Sequence, residues 1–175
     1  MDAVAPKTWG GRVFEDFAVG DVYWSRAGRT VTETDNVWIT CMTQAYNQVH
    51  FNALLAERTR FGETIVYSAL TLAIVGGLSV PDTSENAAAN LGFEEVRLPR
   101  PVYAGDTLWA ESEILETRPS ASRPNVGIVR MRTRGINQRK EVAIEFLKAF
   151  MVYRRGALEL SGLVLEPAEP WGSDA

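Results

Sequence analysis

The one histidine of this chain, His50, is the side chain best suited to exchange a proton near neutral pH. It stands in the segment Tyr46-Asn47-Gln48-Val49-His50-Phe51-Asn52, where amide side chains crowd around it. A lone histidine is more often structural than catalytic, so its role depends on its surroundings. The other reactive residue types point nowhere definite. A single cysteine, Cys41, excludes an internal disulfide, and neither CxxC nor Cys/His ligand spacing occurs. Cys41 falls on what reads as the apolar side of a helix, an inert position. Arg130, Arg132 and Arg134 alternate with Val129, Met131 and Thr133, which describes a half-buried strand with a charged outer face better than a phosphate site. Arg97 and Arg100 flank Pro99 in a loop and read as solvated or ion-paired. The five tryptophans, Trp9, Trp24, Trp38, Trp109 and Trp171, read as packing residues. No Gly-x-Gly-x-x-Gly, P-loop or Gly-x-Ser-x-Gly motif is present, so nucleotide-dependent redox, phosphoryl transfer and serine hydrolysis lack support.

The elements that must hold His50 can be read from the same sequence. Thr32-Glu33-Thr34-Asp35 offers N-cap chemistry, and Val37, Trp38, Cys41 and Met42 recur at helical spacing to about residue 45. Asn52 can cap a second short helix over 53–58, which Gly62 stops. Residues 64–81 carry no charge. Their Thr, Tyr and Ser content, a Gly76-Gly77 pair and the absence of flanking positive charge favour a buried core helix from near 65 to 80 over a membrane span. Extended pieces are expected at 22–24 and 29–32, and longer strands at 91–96, 107–116, 126–134 and 142–153, separated by Pro- and Gly-containing turns. Short elements first, one apolar helix, then a run of antiparallel strands gives an α+β layout.

The chain has 175 residues, enough for one domain, with 46% apolar residues. The division is an N-terminal arm over 1–13, a single domain over 14–155 and a C-terminal tail over 156–175. A net charge of −4 gives no global attraction to nucleic acid or to an anionic membrane. The N-terminus lacks the basic stretch and apolar run of a signal peptide, so a cytoplasmic protein is expected.

Asn47, Val49 and His50 match, at the right spacing, the Asp-x-Asn-Pro-(aliphatic)-His motif of the MaoC-like enoyl-thioester hydratases. The resemblance continues through Phe61-Gly62-Glu63-Thr64-Ile65-Val66-Tyr67-Ser68, where that family opens its central helix, and through Tyr103-Ala104-Gly105-Asp106-Thr107-Leu108. It covers roughly residues 14–154. Within the family the chain looks closest to the mesaconyl-CoA and itaconyl-CoA hydratase group, on residues 29–37, 47–51, 122–127 and 150–155. The resemblance implies a hotdog fold, an antiparallel sheet wrapped around a long central helix. It also implies a homodimer, an acyl-CoA substrate and a lyase that needs no cofactor or metal. His50 would be the base, Asn47 would orient water, and the Ser68 N–H would meet the thioester oxygen. Tyr67 and Gln44 would give polar support.

One departure matters most: Ala45 stands where the family has its catalytic aspartate. Gln48 and Tyr67 also replace a proline and a histidine. Three readings follow. His50 handles both proton transfers through water; a carboxylate such as Glu63 or Glu33 moves in; or the protein binds an acyl thioester without hydrating it. A hotdog thioesterase is the remaining alternative.

Overall fold

The computed structural model describes residues 10–157. Most of the expected arm and tail, with Trp9 and Trp171, lie outside the described residues. In chain order the elements are β1 (Val22–Trp24), β2 (Arg29–Thr30), α1 (Glu33–Thr43), a 3-10 turn (Gln48–His50), α2 (Ala53–Ala56), α3 (Ser68–Thr83), β3 (Ala87–Arg97), β4 (Thr107–Pro119), β5 (Val126–Asn137) and β6 (Val142–Tyr153). The strands form one antiparallel sheet in the order β1-β4-β5-β6-β3, with β2 also on β4.

The sheet wraps α3, and this is the hotdog fold. Alternation decides which side chains face the helix. On β5, Val129, Met131 and Thr133 are fully buried while the arginines between them face outward. On β6, Ile144, Phe146, Phe150 and Val152 are fully buried, and Ala143 and Leu147 show that the other face is partly covered too. Each such aliphatic or aromatic side chain contributes on the order of 1.5–3 kcal/mol by leaving water. Two clusters result. One packs Ile74 and Val75 of α3 against Leu108, Ala110, Ile144 and Phe146. The other joins Phe17, Ile114, Met131 and Phe150 under the N-terminal segment. Gly135 lets α3 come close: a β-carbon there would lie 2.5 Å from a methyl of Val75 and 2.7 Å from one of Ile144.

The sequence reading needs correction in several places. α3 starts three residues later than the apolar pattern suggests and runs through Pro81, because a proline in the last turn forgoes only one backbone donor. On α1 the apolar stripe is not the buried one. Asn36 and Thr40 face inward, while Trp38 is 71% and Met42 72% exposed. Cys41 is exposed as well, so it does not sit on a buried apolar side. Trp24 and Trp38 lie at the surface, and Trp109 is half-buried. The inward face of α1 meets loop backbone, which requires hydrogen-bonding side chains rather than apolar ones. The described ranges of β3, β4 and β5 also extend past the expected ends, since their ladders continue for as long as a neighbouring strand offers partners.

Candidate active site

Helix α1 begins on a reciprocal cap. The Asp35 N–H donates to the Thr32 hydroxyl oxygen at 3.2 Å, and the Asp35 carboxylate accepts the Thr32 N–H at 2.8 Å. Arg29 fixes that carboxylate with two bonds, of 2.9 and 2.7 Å, and so holds it below the ordinary carboxylate range. One residue inside this anchored start is Asn36, 4% exposed. Its amide nitrogen donates to the carbonyls of His50 (2.7 Å) and Ile65 (3.1 Å), and its amide oxygen accepts the Tyr67 N–H (2.8 Å).

His50 closes the 3-10 turn that Asn47 caps. The Asn47 side-chain oxygen accepts the Val49 N–H at 3.4 Å, and the Asn47 carbonyl accepts the His50 N–H at 3.2 Å. The imidazole is half-buried, its Nδ1 lies 2.9 Å from the Ile65 carbonyl oxygen, and its ring meets Tyr67 edge-on at 5.3 Å. A carbonyl only accepts. The proton of the neutral ring therefore resides on Nδ1, and Nε2 carries the lone pair that a base needs.

Tyr67 is also the N-cap of α3. Leu70 and Thr71 donate to the Tyr67 carbonyl at 2.9 and 3.2 Å, while the Tyr67 N–H is taken by Asn36. Among the described residues the N–H groups of Ser68 and Ala69 then remain without an acceptor at the positive end of the helix, and Ser68 is exposed. The His50 ring thus packs against Tyr67, the residue immediately before the Ser68 N–H that opens α3.

The other expected site residues are placed differently. Gln44 closes α1 in the left-handed region (φ 55°) and is exposed, its N–H bound to the Thr40 and Cys41 carbonyls. Asn47 uses its side-chain oxygen on the turn, and no hydrogen bond joins it to the ring. Glu33 and Glu63 are exposed. Every ion pair among the described residues is made by an arginine, so none places a carboxylate on His50. Arg130, Arg132 and Arg134 pair with Glu94, Glu113 and Glu111 on the outer face of the sheet, and Arg97 pairs with Glu95. Among the described residues no cluster of three His, Cys, Asp or Glu side chains could hold a metal ion. No helix among them is long and apolar enough to cross a membrane.

Several depressions mark the described surface. One of about 470 Å³ runs between the β1–β2 loop and α3. A second, of about 340 Å³, separates α1 from Leu70 beside Trp38 and Met42. The third, of about 290 Å³, lies in the ion-pair ladder. His50 lines none of these three.

Asn36 and the Ile65 carbonyl were not foreseen as site groups. The signal available was a pair of polar residues, Asn36 and Thr40, at helical spacing inside a stretch otherwise rich in apolar residues.

Comparison with known proteins adds the following. The model of the mesaconyl-CoA hydratase family matches residues 2–171. A mesaconyl-CoA hydratase from Cereibacter sphaeroides is 33% identical over 149 residues, which cover 85% of this chain and 43% of that protein. The chain therefore spans about half the length of that curated relative. A MaoC-like dehydratase from Rhodospirillum rubrum superposes with a TM-score of 0.71 at 30% identity, covering 83% of this chain and 99% of the other. A Mycobacterium tuberculosis protein with a double hotdog fold superposes at 0.78 and 19% identity, covering 86% of this chain and 46% of that one.

Proposed function

We propose, given that the chain belongs to the mesaconyl-CoA hydratase family of MaoC-like proteins, that it catalyses the reversible addition of water to a 2-enoyl-CoA thioester. The observation that carries this reading is the 2.9 Å approach of His50 Nδ1 to the Ile65 carbonyl oxygen, an acceptor that leaves Nε2 to serve as base, on a ring packed against the N-cap residue of α3. In the hydration direction Nε2 takes a proton from water as the oxygen bonds to the β-carbon. Charge moves to the thioester oxygen, where the Ser68 N–H and the helix dipole stabilise it. The imidazolium then returns the proton to the α-carbon, so the elements of one water molecule are added across the double bond. One ring acting in both steps fits a chain with alanine at position 45. The Asn47 amide would orient the water, with Tyr67 and Gln44 as polar support for the substrate.

The substrate class we propose is a short, branched C5 dicarboxylic acyl-CoA of the mesaconyl or itaconyl type, as the family match and the Cereibacter relative suggest. We further propose that a second copy completes the unit. Among the described residues strand β3 pairs only with β6, and its exposed Leu91, Phe93 and Val96 lie along an edge that can pair. The relative of about twice this length fits the same idea.

One observation favours a rival, a non-catalytic acyl-thioester-binding subunit: no described ion pair puts a carboxylate on His50. Incubation with mesaconyl-CoA, itaconyl-CoA and crotonyl-CoA, with enoyl absorbance and free thiol followed together, separates the readings. Loss of absorbance without thiol supports hydration. Thiol release supports a thioesterase, and silence across the panel supports the binding role.

A further inference from the structure

We propose that Asn36 is a positioning residue that sets the proton state and placement of His50 and, through the same amide, the free donor at the start of α3. All of its polar atoms are committed. Its two amide hydrogens go to the His50 and Ile65 carbonyls at 2.7 and 3.1 Å, and its oxygen takes the Tyr67 N–H at 2.8 Å. The chemistry of the partners fixes the orientation of the amide, because two carbonyls need donors and one N–H needs an acceptor. Asparagine meets that demand. Aspartate offers acceptors only, and leucine of similar size offers nothing.

Two consequences follow for the site. The Ile65 carbonyl is held between Asn36 and the imidazole Nδ1, so the amide that anchors this oxygen also decides which ring nitrogen bears the proton. The Tyr67 N–H is consumed by Asn36, which pins the N-cap residue directly ahead of Ser68, the first residue of α3. Base and anion donor are therefore indexed to one buried side chain, itself anchored by the cap that Arg29 and Asp35 secure. Asn36 touches neither water nor thioester in this scheme and acts through His50 and Tyr67.

Because the protein has a single histidine, nitrogen-15 labelling of histidine reports one imidazole without overlap. In the unaltered protein the spectrum of the neutral ring should show Nδ1 protonated, and backbone exchange should show Tyr67 N–H protected while Ser68 N–H exchanges readily. Finding Nε2 protonated, or Tyr67 N–H unprotected, overturns the proposal without any variant. In Asn36→Asp and Asn36→Leu, each checked for folding by circular dichroism, the ring should shift to a mixture of tautomers. A folded variant that keeps the original tautomer also overturns it. The kinetic arm rests on the hydratase reading: kcat should fall roughly tenfold to hundredfold, with KM changed less than about threefold. Because the spectroscopic arm uses no substrate, its result stands even where every enoyl-CoA proves inert.

Discussion

Replacing His50 by glutamine removes the base we propose while leaving a side chain that can still donate to the Ile65 carbonyl. General base catalysis by a placed side chain contributes roughly 10²–10⁴-fold, which corresponds to about 2.7–5.5 kcal/mol of transition-state stabilisation. The folding cost is smaller. The Nδ1 bond to Ile65 contributes about 1 kcal/mol and the edge-on contact with Tyr67 about 0.5–1.5 kcal/mol, both from a half-buried ring. Glutamine recovers part of the first. A total of at most about 2.5 kcal/mol lowers Tm by up to roughly 10 °C in a chain of this size, so the variant should remain folded at 25 °C. The assay is the loss of enoyl absorbance with mesaconyl-CoA, read as kcat/KM, with Tm measured on the same samples. We expect kcat/KM to fall at least a hundredfold while thermal unfolding stays cooperative. A folded His50→Gln protein with kcat/KM within about threefold of the parent would refute the assignment of the base.

Three further outcomes follow from the described packing. Asp106, 4% exposed, is pushed up by burial, but bonds from the Tyr103 N–H, Gln138 and Arg139 outweigh this and leave it below its ordinary value. Its stabilisation is present above the ordinary value of 3.8 and is lost as pH falls through the lower folded value, because the unfolded chain binds the extra proton there. Asp106→Asn should lower Tm by several degrees at pH 7 and flatten the dependence of Tm on pH below about 4, measured by a thermal series in acid. Lys148, 6% exposed with its ammonium on the Ser84 hydroxyl at 2.8 Å, is held below its ordinary value by burial, so stability from this group rises with pH toward 10.5. Lys148→Met should raise Tm at pH 7 by roughly 2–6 °C, and a fall would contradict the reasoning. Gly135→Val should cost on the order of 1–3 kcal/mol or more by driving α3 off the sheet, seen as a lower midpoint in urea.

Much of the frame was legible in the sequence because its signals are local. Period-2 alternation marked Val129, Met131 and Thr133 as inward and their arginine neighbours as outward. Thr32 and Asn52 announced their caps, and in the structure Thr32 accepts the Asp35 N–H and Asn52 the Leu55 N–H. Motif spacing placed His50 just ahead of the central helix, and the tertiary contacts set it against Tyr67 at that helix's start. What spacing could not give was the partner of each polar group. Asn36 lies 14 residues from His50 and 31 from Tyr67. Nothing in the local pattern ties those positions together, and an amphipathic reading turned α1 the wrong way round, with Trp38 and Met42 inward. The tautomer of His50 was equally hidden, since it depends on a carbonyl 15 residues away. Short-range periodicity fixes which face of an element is apolar. Only the folded chain decides which buried donors meet which acceptors, because an unpaired buried polar group is costly and its nearest partner lies elsewhere in the sequence.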